Sequence, residues 1–233
     1  MQGDFEHRIT AAVAPARLTP YRQNGLTDLD VVCVYMWNLE LSGTLYPALQ
    51  TFEVGLRNAL HNALTYRFGS AAWYDAPGIF LGQSELDSIA AAKDELVKSH
   101  KAIEPGRVVA ELRFGFWSSL FNRKYEHRGQ QLWPQLLARV FPGLPKRIRT
   151  RHTASKRVND IRELRNRVFH HERITHWPLE QLHAELIEAI GWVCPALQHM
   201  TQATDRFPVV FRRGWQNTRR CLTAFSLLPE YHI

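Results

Sequence analysis

Apolar positions recur along this chain at three- and four-residue intervals, the spacing that puts side chains on one face of an α-helix. Thr27-Asp28-Leu29-Asp30 offers a helix start, and Leu29, Val32, Met36, Leu39 and Gly43 continue a stripe toward Leu45. Pro47 predicts a kink or a fresh start, after which Leu49, Phe52, Leu56, Ala59, Leu60, Ala63 and Leu64 extend the pattern to Phe68-Gly69. Residues 69–82 lose the period and read as a folded loop. Gln83 to Ser99 reads as a helix, with Ser84 as its cap and Asp87 as the capping-box acid. Glu104-Pro105-Gly106 starts a segment from Arg107 to Phe121, in which Val108, Leu112, Phe116 and Leu120 share a face.

A polar stretch from Asn122 to Gln131 reads as a loop, and Leu132 to Val140 as a short helix ended by Pro142-Gly143. Helices are predicted over about Arg149 to Phe169 and Leu179 to Met200, the second opened by Pro178 and bent or broken at Pro195. No internal repeat or low-complexity linker interrupts the pattern. The expectation is one all-α domain over residues 1–233, with an N-terminal extension to residue 27 and a basic tail from 205.

Composition narrows the class. The chain has 233 residues, 45% of them hydrophobic, which is ample for a buried core. No apolar run is long enough to span a bilayer, and Met1 to Arg8 lacks the basic-then-apolar order of a signal peptide, so a cytoplasmic protein without a membrane partner is expected. Cys33, Cys194 and Cys221 show no C-x-x-C spacing and read as reduced, packed thiols. The tryptophans, among them Trp73, Trp117, Trp133, Trp177, Trp192 and Trp215, read as fillers of core and interface.

Charge then draws attention to one region. The formal net charge is +7. From Lys146 to Arg173 ten lysines and arginines face only Asp160, Glu163 and Glu172. Such an excess suits an anionic partner, RNA in particular, although basic helix faces are also often merely solvated.

Within that region lies Arg165-Asn166-Arg167-Val168-Phe169-His170-His171-Glu172. Arginine can hold a phosphate and histidine can move protons near neutral pH, which together suffice for RNA cleavage without a metal or other cofactor. At about 100° per residue, Val158, Ile161, Leu164 and Val168 form one apolar arc, with Arg165 and Phe169 on or beside it. An arginine there needs an acidic partner or a bound phosphate. Glu53, spaced by four from Arg57 and by eight from His61, is a candidate for that partner. Asn166 and His170 share a neighbouring face, and His171 lies toward the Leu164 side. In an unbroken helix Arg165 and His170 point about 140° apart, which favours a site assembled between two copies. A structural reading stands beside this one: both histidines could cap helix carbonyls, and Arg165 could be a buried ion-pair partner.

The Arg-Asn-x-x-x-His pattern at Arg165, Asn166 and His170 resembles the signature of the HEPN superfamily, specifically its Abi-like branch of abortive-infection proteins. The stretches 35–42, 52–61 and 111–117 are similar to segments of Abi-like proteins in the same order. The resemblance implies a HEPN-like helical bundle with additional helices, metal-independent endoribonuclease activity and a symmetric dimer. It also implies Arg165 and His170 as the catalytic pair, supported by Asn166 and His171; Glu53 joins them as a supporting residue on its spacing alone. Arg162, Arg167 and Arg173 are candidates for RNA contact. An antitoxin or regulatory partner fits a ribonuclease toxin, and a noncatalytic RNA-binding or regulatory helical module is the alternative.

Overall fold

The computed structural model describes residues 8, 9, 11–126 and 132–226, which contain ten α-helices and no strand. In chain order these are α1 (Pro15–Leu18), α2 (Asp28–Phe68), α3 (Gln83–Lys98), α4 (Pro105–Glu111) and α5 (Phe114–Ser119). They continue as α6 (Leu137–Val140), α7 (Arg151–Phe169), α8 (Leu179–Val193), α9 (Pro195–Thr204) and α10 (Phe207–Ser226). The all-α expectation holds. Residues 127–131 of the expected polar loop, most of the Met1 to Arg8 stretch and the tail beyond Ser226 lie outside the described residues.

Helix boundaries follow local chemistry more than the apolar stripe. The start of α2 is a reciprocal cap. The Asp30 backbone N–H donates to Thr27 Oγ1 at 3.2 Å, while the Thr27 N–H and hydroxyl both donate to Asp30 Oδ2, at 3.0 and 2.7 Å. Pro47 neither breaks α2 nor starts a new helix. Ser84 is not the cap of α3: that position is Gly82, and Ser84 lies inside the helix, its carbonyl accepting the Ser88 hydroxyl. The expected helix from Arg107 to Phe121 is two short ones, because Leu112 and Arg113 adopt extended backbone between α4 and α5. Val108, Leu112, Phe116 and Leu120 are nevertheless all buried. The helix expected from Leu132 shortens to α6. Pro195 does end one helix and open the next, as its missing N–H dictates. Beyond Asp205 the chain is not a plain tail but the helix α10, interrupted at Gly214, where φ is +66°.

By their contacts the described residues group into two compact units. One draws on Met1–Pro47, Leu164–His183 and Thr204–Ile233, the other on Ala48–Glu163 and Ala184–Ala203. In the second unit Phe52, Leu56, Leu60, Ala63 and Leu64 are buried along α2, and Trp73, Trp117 and Trp133 are wholly enclosed. Trp192 is also buried and receives the Arg157 guanidinium on its face at 4.6 Å. A Cβ on Gly143 would collide with the Gly191 carbonyl, and the Gly143 N–H donates to the Trp192 carbonyl at 3.0 Å. His61 is held structurally: its Nδ1 accepts the Trp73 indole N–H at 3.0 Å, and burial lowers its pKa, keeping it neutral.

The first unit has a smaller core of Leu18, Tyr21, Val31, Val32 and Val34, against which Trp215 packs. Here the apolar stripe read from sequence holds at Leu29 and Val32 and then leaves the buried face. Met36 and Leu39 are exposed, whereas Val31, Val34, Asn38, Leu41 and Leu45 turn inward. The buried stripe contains a polar residue, and a search for continuous hydrophobicity passes over it. Cys33 is buried and Cys194 half-buried; Cys221, contrary to the packed expectation, is exposed.

Asp30 couples the two ends of this unit, since Arg219 of α10 reaches its Oδ1 at 2.8 Å. Burial alone would raise the Asp30 pKa, but the two Thr27 hydrogen bonds and Arg219 outweigh it and hold the carboxyl below its ordinary value. With a folded pKa depressed below the unfolded one, its contribution is complete above about pH 4 and is lost as pH falls through the folded value. Asp30→Asn is therefore expected to lower stability at pH 7 by about 1 kcal/mol. The gap from wild type should narrow below about pH 4, as chemical denaturation across pH would show.

Candidate functional site

The helix α7 carries the motif, and its apolar arc is as the wheel predicts: Val158, Ile161, Leu164 and Val168 are all buried. Arg165 is half-buried beside that arc, and its guanidinium sits over the Phe169 ring at 4.1 Å. Phe169 in turn stacks on Tyr46 at 5.0 Å. The cation thus lies against an aromatic face, where lysine would keep the charge but not the planar fork of donors. Asn166 and His170 are exposed, and the His170 N–H still donates to the Asn166 carbonyl at 2.9 Å. His170 therefore keeps its helical direction.

The next residue does not. His171 has φ of +56°, a left-handed conformation that costs an L-residue with a Cβ about 1 kcal/mol. Its N–H donates to the Val168 carbonyl at 3.2 Å, and the Glu172 N–H donates to the Arg167 carbonyl at 2.9 Å. These are the two bonds of a Schellman helix end, at whose left-handed position glycine is usual. An apolar contact often closes this motif; here the same two positions are joined by an ion pair between Arg167 and Glu172. Because the chain turns out of the helix at this point, the directions of an unbroken helix do not apply to His171.

A glycine at position 171 should relieve the backbone cost. His171→Gly is expected to raise stability by about 0.5–1 kcal/mol, while His171→Ala keeps the strain and should not stabilise. Denaturation of both variants checks this. A stabilising His171→Gly variant would mean that the histidine is retained there against the fold's own preference.

Asn38 fixes the turn from below. Its side chain is fully buried on α2; Nδ2 donates to the Glu172 carbonyl at 3.2 Å, and Oδ1 accepts the Ile174 N–H at 2.8 Å. One amide thereby satisfies two backbone groups of the chain leaving α7. The N-terminal segment holds the turn from the other side. Arg17 donates to the His171 carbonyl at 2.7 Å, and Arg173 donates to the Pro20 carbonyl and to Thr175 Oγ1.

Between these pieces lies a cavity of about 440 Å³ lined by Ala16, Arg17, Pro20, Tyr21, Arg167, His171, Glu172, Arg173 and His176. Arg167 also faces Trp177, and Arg173 lies near the Tyr21 ring. Burial lowers the His176 pKa, and the nearby Arg173 and Arg167 charges lower it further. The structure thus brings His171, Arg167 and Arg173 together in one cavity, whereas Arg165, Asn166 and His170 are not among its walls. Arg162 is exposed on α7 within the second unit, as is the α2 stretch that bears the half-buried Glu53. Among the described residues no group of three or more His, Cys, Asp or Glu side chains is placed to hold a metal ion. No helix among them is long and apolar enough to cross a membrane.

Sequence reading missed Asn38, Arg17, Tyr21 and His176. Asn38 had a usable signal, a polar residue at helical spacing among buried apolar ones. Arg17 had none, because it reaches a residue 154 positions away in the chain.

Fold and motif together define an all-helical protein with an arginine and histidine cluster at the end of one helix. The family model for Abi-like proteins matches residues 5–176, and the chain belongs to that family. Neither the curated proteins nor the solved structures contain a match to the chain.

Proposed function

We propose that this protein is an abortive-infection effector of the HEPN type that cuts RNA without a metal ion. Arg165 and His170 are the catalytic pair, and Asn166 and His171 support them. Membership in the Abi-like family supports the biological role. The observation that carries the chemistry is the end of α7 itself. It presents two exposed histidines and a half-buried, aromatically oriented arginine, and it holds one histidine in a conformation suited to glycine.

In the reaction, the 2′-hydroxyl oxygen of one nucleotide attacks its own 3′-phosphorus while the P–O5′ bond to the next nucleotide breaks. His170 takes the proton from the 2′-hydroxyl, and the imidazolium so formed gives a proton, through solvent water, to the departing 5′-oxygen. Arg165 stabilises the charge that develops on the nonbridging oxygens. The products carry a 2′,3′-cyclic phosphate and a 5′-hydroxyl. Since about 140° separates the directions of Arg165 and His170 on one helix, a symmetric dimer that sets two such helix ends across a cleft supplies the missing geometry.

The test is purified protein with labelled RNA, and with DNA of the same sequence, in excess EDTA. Cleavage of RNA alone is expected, because DNA lacks the nucleophile. RNA that is bound but left intact would replace this reading with a noncatalytic RNA-binding module.

A further inference from the structure

The geometry points to the cavity beside His171 as a binding site for a terminal phosphate monoester, with the end of an RNA chain as its ligand. This rests on the reading of the protein as an RNA-directed effector, but it concerns residues other than the catalytic pair. Three guanidinium groups, from Arg17, Arg167 and Arg173, line one cavity with a single carboxylate, Glu172, which is already paired to Arg167. The excess of positive charge matches a phosphate monoester, which carries about −1.5 to −2 at neutral pH, better than the single charge of an internal phosphodiester. Hydrogen bonds to described residues occupy one donor of Arg17, one of Arg167 and two of Arg173, and a guanidinium carries more donors than that.

Shape agrees with charge. At about 440 Å³ the cavity has room for more than a bare phosphate and falls within the range of small-ligand sites. Pro20, Ala16 and the buried Tyr21 give it an apolar side on which a terminal sugar or base can rest. His176 completes the polar side. Its ring can donate a hydrogen bond to a phosphate oxygen.

The walls are also preorganised. Arg17 and Arg173 are each tied by one bond to a backbone carbonyl across the cavity, Asn38 fixes the floor of the turn, and His171 is locked by the Schellman bonds. Groups held in place before binding lose less conformational freedom when the ligand arrives.

The experiment measures binding of the full-length protein to one oligoribonucleotide in four forms: 5′-phosphorylated, 3′-phosphorylated, hydroxyl at both ends, and a 2′-deoxy version that cannot be cut. A nucleoside 5′-monophosphate serves as competitor. At least one phosphorylated end is expected to bind roughly tenfold or more tightly than the hydroxyl form. The preference should fall to near unity in Arg17→Ala combined with His176→Ala, both at exposed positions, while Arg17→Lys should restore part of it.

Effective competition by the mononucleotide at concentrations matching the oligonucleotide would assign the pocket to a free nucleotide and overturn the RNA-end assignment. Equal binding of all ends, or a preference that survives the double substitution, would overturn the site itself. The proposed catalysis is read separately: cleavage indifferent to end phosphorylation defeats this inference alone, whereas tight end binding without any cleavage defeats the catalytic reading and leaves the site standing.

Discussion

Replacing His170 by alanine is expected to lower RNA cleavage by roughly 10²- to 10⁴-fold while leaving the fold intact. The side chain is exposed at the end of α7, and its backbone bond to the Asn166 carbonyl does not depend on the imidazole. Arg165→Ala should cost a similar factor, and Arg165→Lys should recover little of it, because lysine keeps the charge but not the planar fork of donors. The dimer model adds a sharper expectation. If each site takes Arg165 from one copy and His170 from the other, mixing the two inactive single variants rebuilds one intact site in every heterodimer. Activity should then return to about a quarter of wild type after random exchange of subunits. No recovery on mixing would place both groups of a working site on one chain.

The second large effect is on stability. Asn38→Ala is expected to destabilise the protein by about 2–4 kcal/mol, and to lower the melting temperature by roughly 5–15 °C. The substitution deletes a fully buried side chain and leaves both the Glu172 carbonyl and the Ile174 N–H without the partner they have now. Asn38→Asp isolates the donor half of the clamp. The carboxylate can still accept from Ile174, but it faces the Glu172 carbonyl with a second acceptor and adds a buried charge, so it should be at least as damaging as alanine. Hydrogen exchange at the Ile174 amide gives the local readout: it should accelerate in both variants. Because the clamp holds the turn beside His170 and His171, both variants should also lose cleavage beyond what their stability explains.

Much of the helical architecture was legible because the period of buried positions is an intrinsic property of a helix. The α7 arc through Val158, Ile161, Leu164 and Val168, the cap at Thr27 and Asp30, and the break at Pro195 all appear where the sequence predicts them. Failures have identifiable causes. Around Met36 and Leu39 the buried face of α2 departs from the predicted stripe because Asn38 interrupts the hydrophobic pattern, and burial there is compensated by two backbone hydrogen bonds that no local pattern announces. Pro47 does not open a fresh helix, because a proline inside a long helix can be tolerated when the surrounding turns are held. The end of α7 resisted prediction for a similar reason: His171 occupies a place where glycine would have marked the stop.

The candidate site was legible as residues but not as an arrangement. Arg165, His170 and His171 could be named from their types and spacing. The division between them could not, because it depends on the left-handed turn at His171 and on Arg17, which arrives from the opposite end of the chain. That turn places His171 against the guanidinium-lined cavity while His170 keeps the direction of the helix.

The most direct test of the central claim is the chemistry of the cut ends. RNA incubated with the wild-type protein in excess EDTA should yield fragments ending in a 2′,3′-cyclic phosphate on one side and a 5′-hydroxyl on the other, and His170→Ala should yield none. Fragments bearing 5′-phosphates, cleavage abolished by EDTA, or full activity in His170→Ala would contradict it.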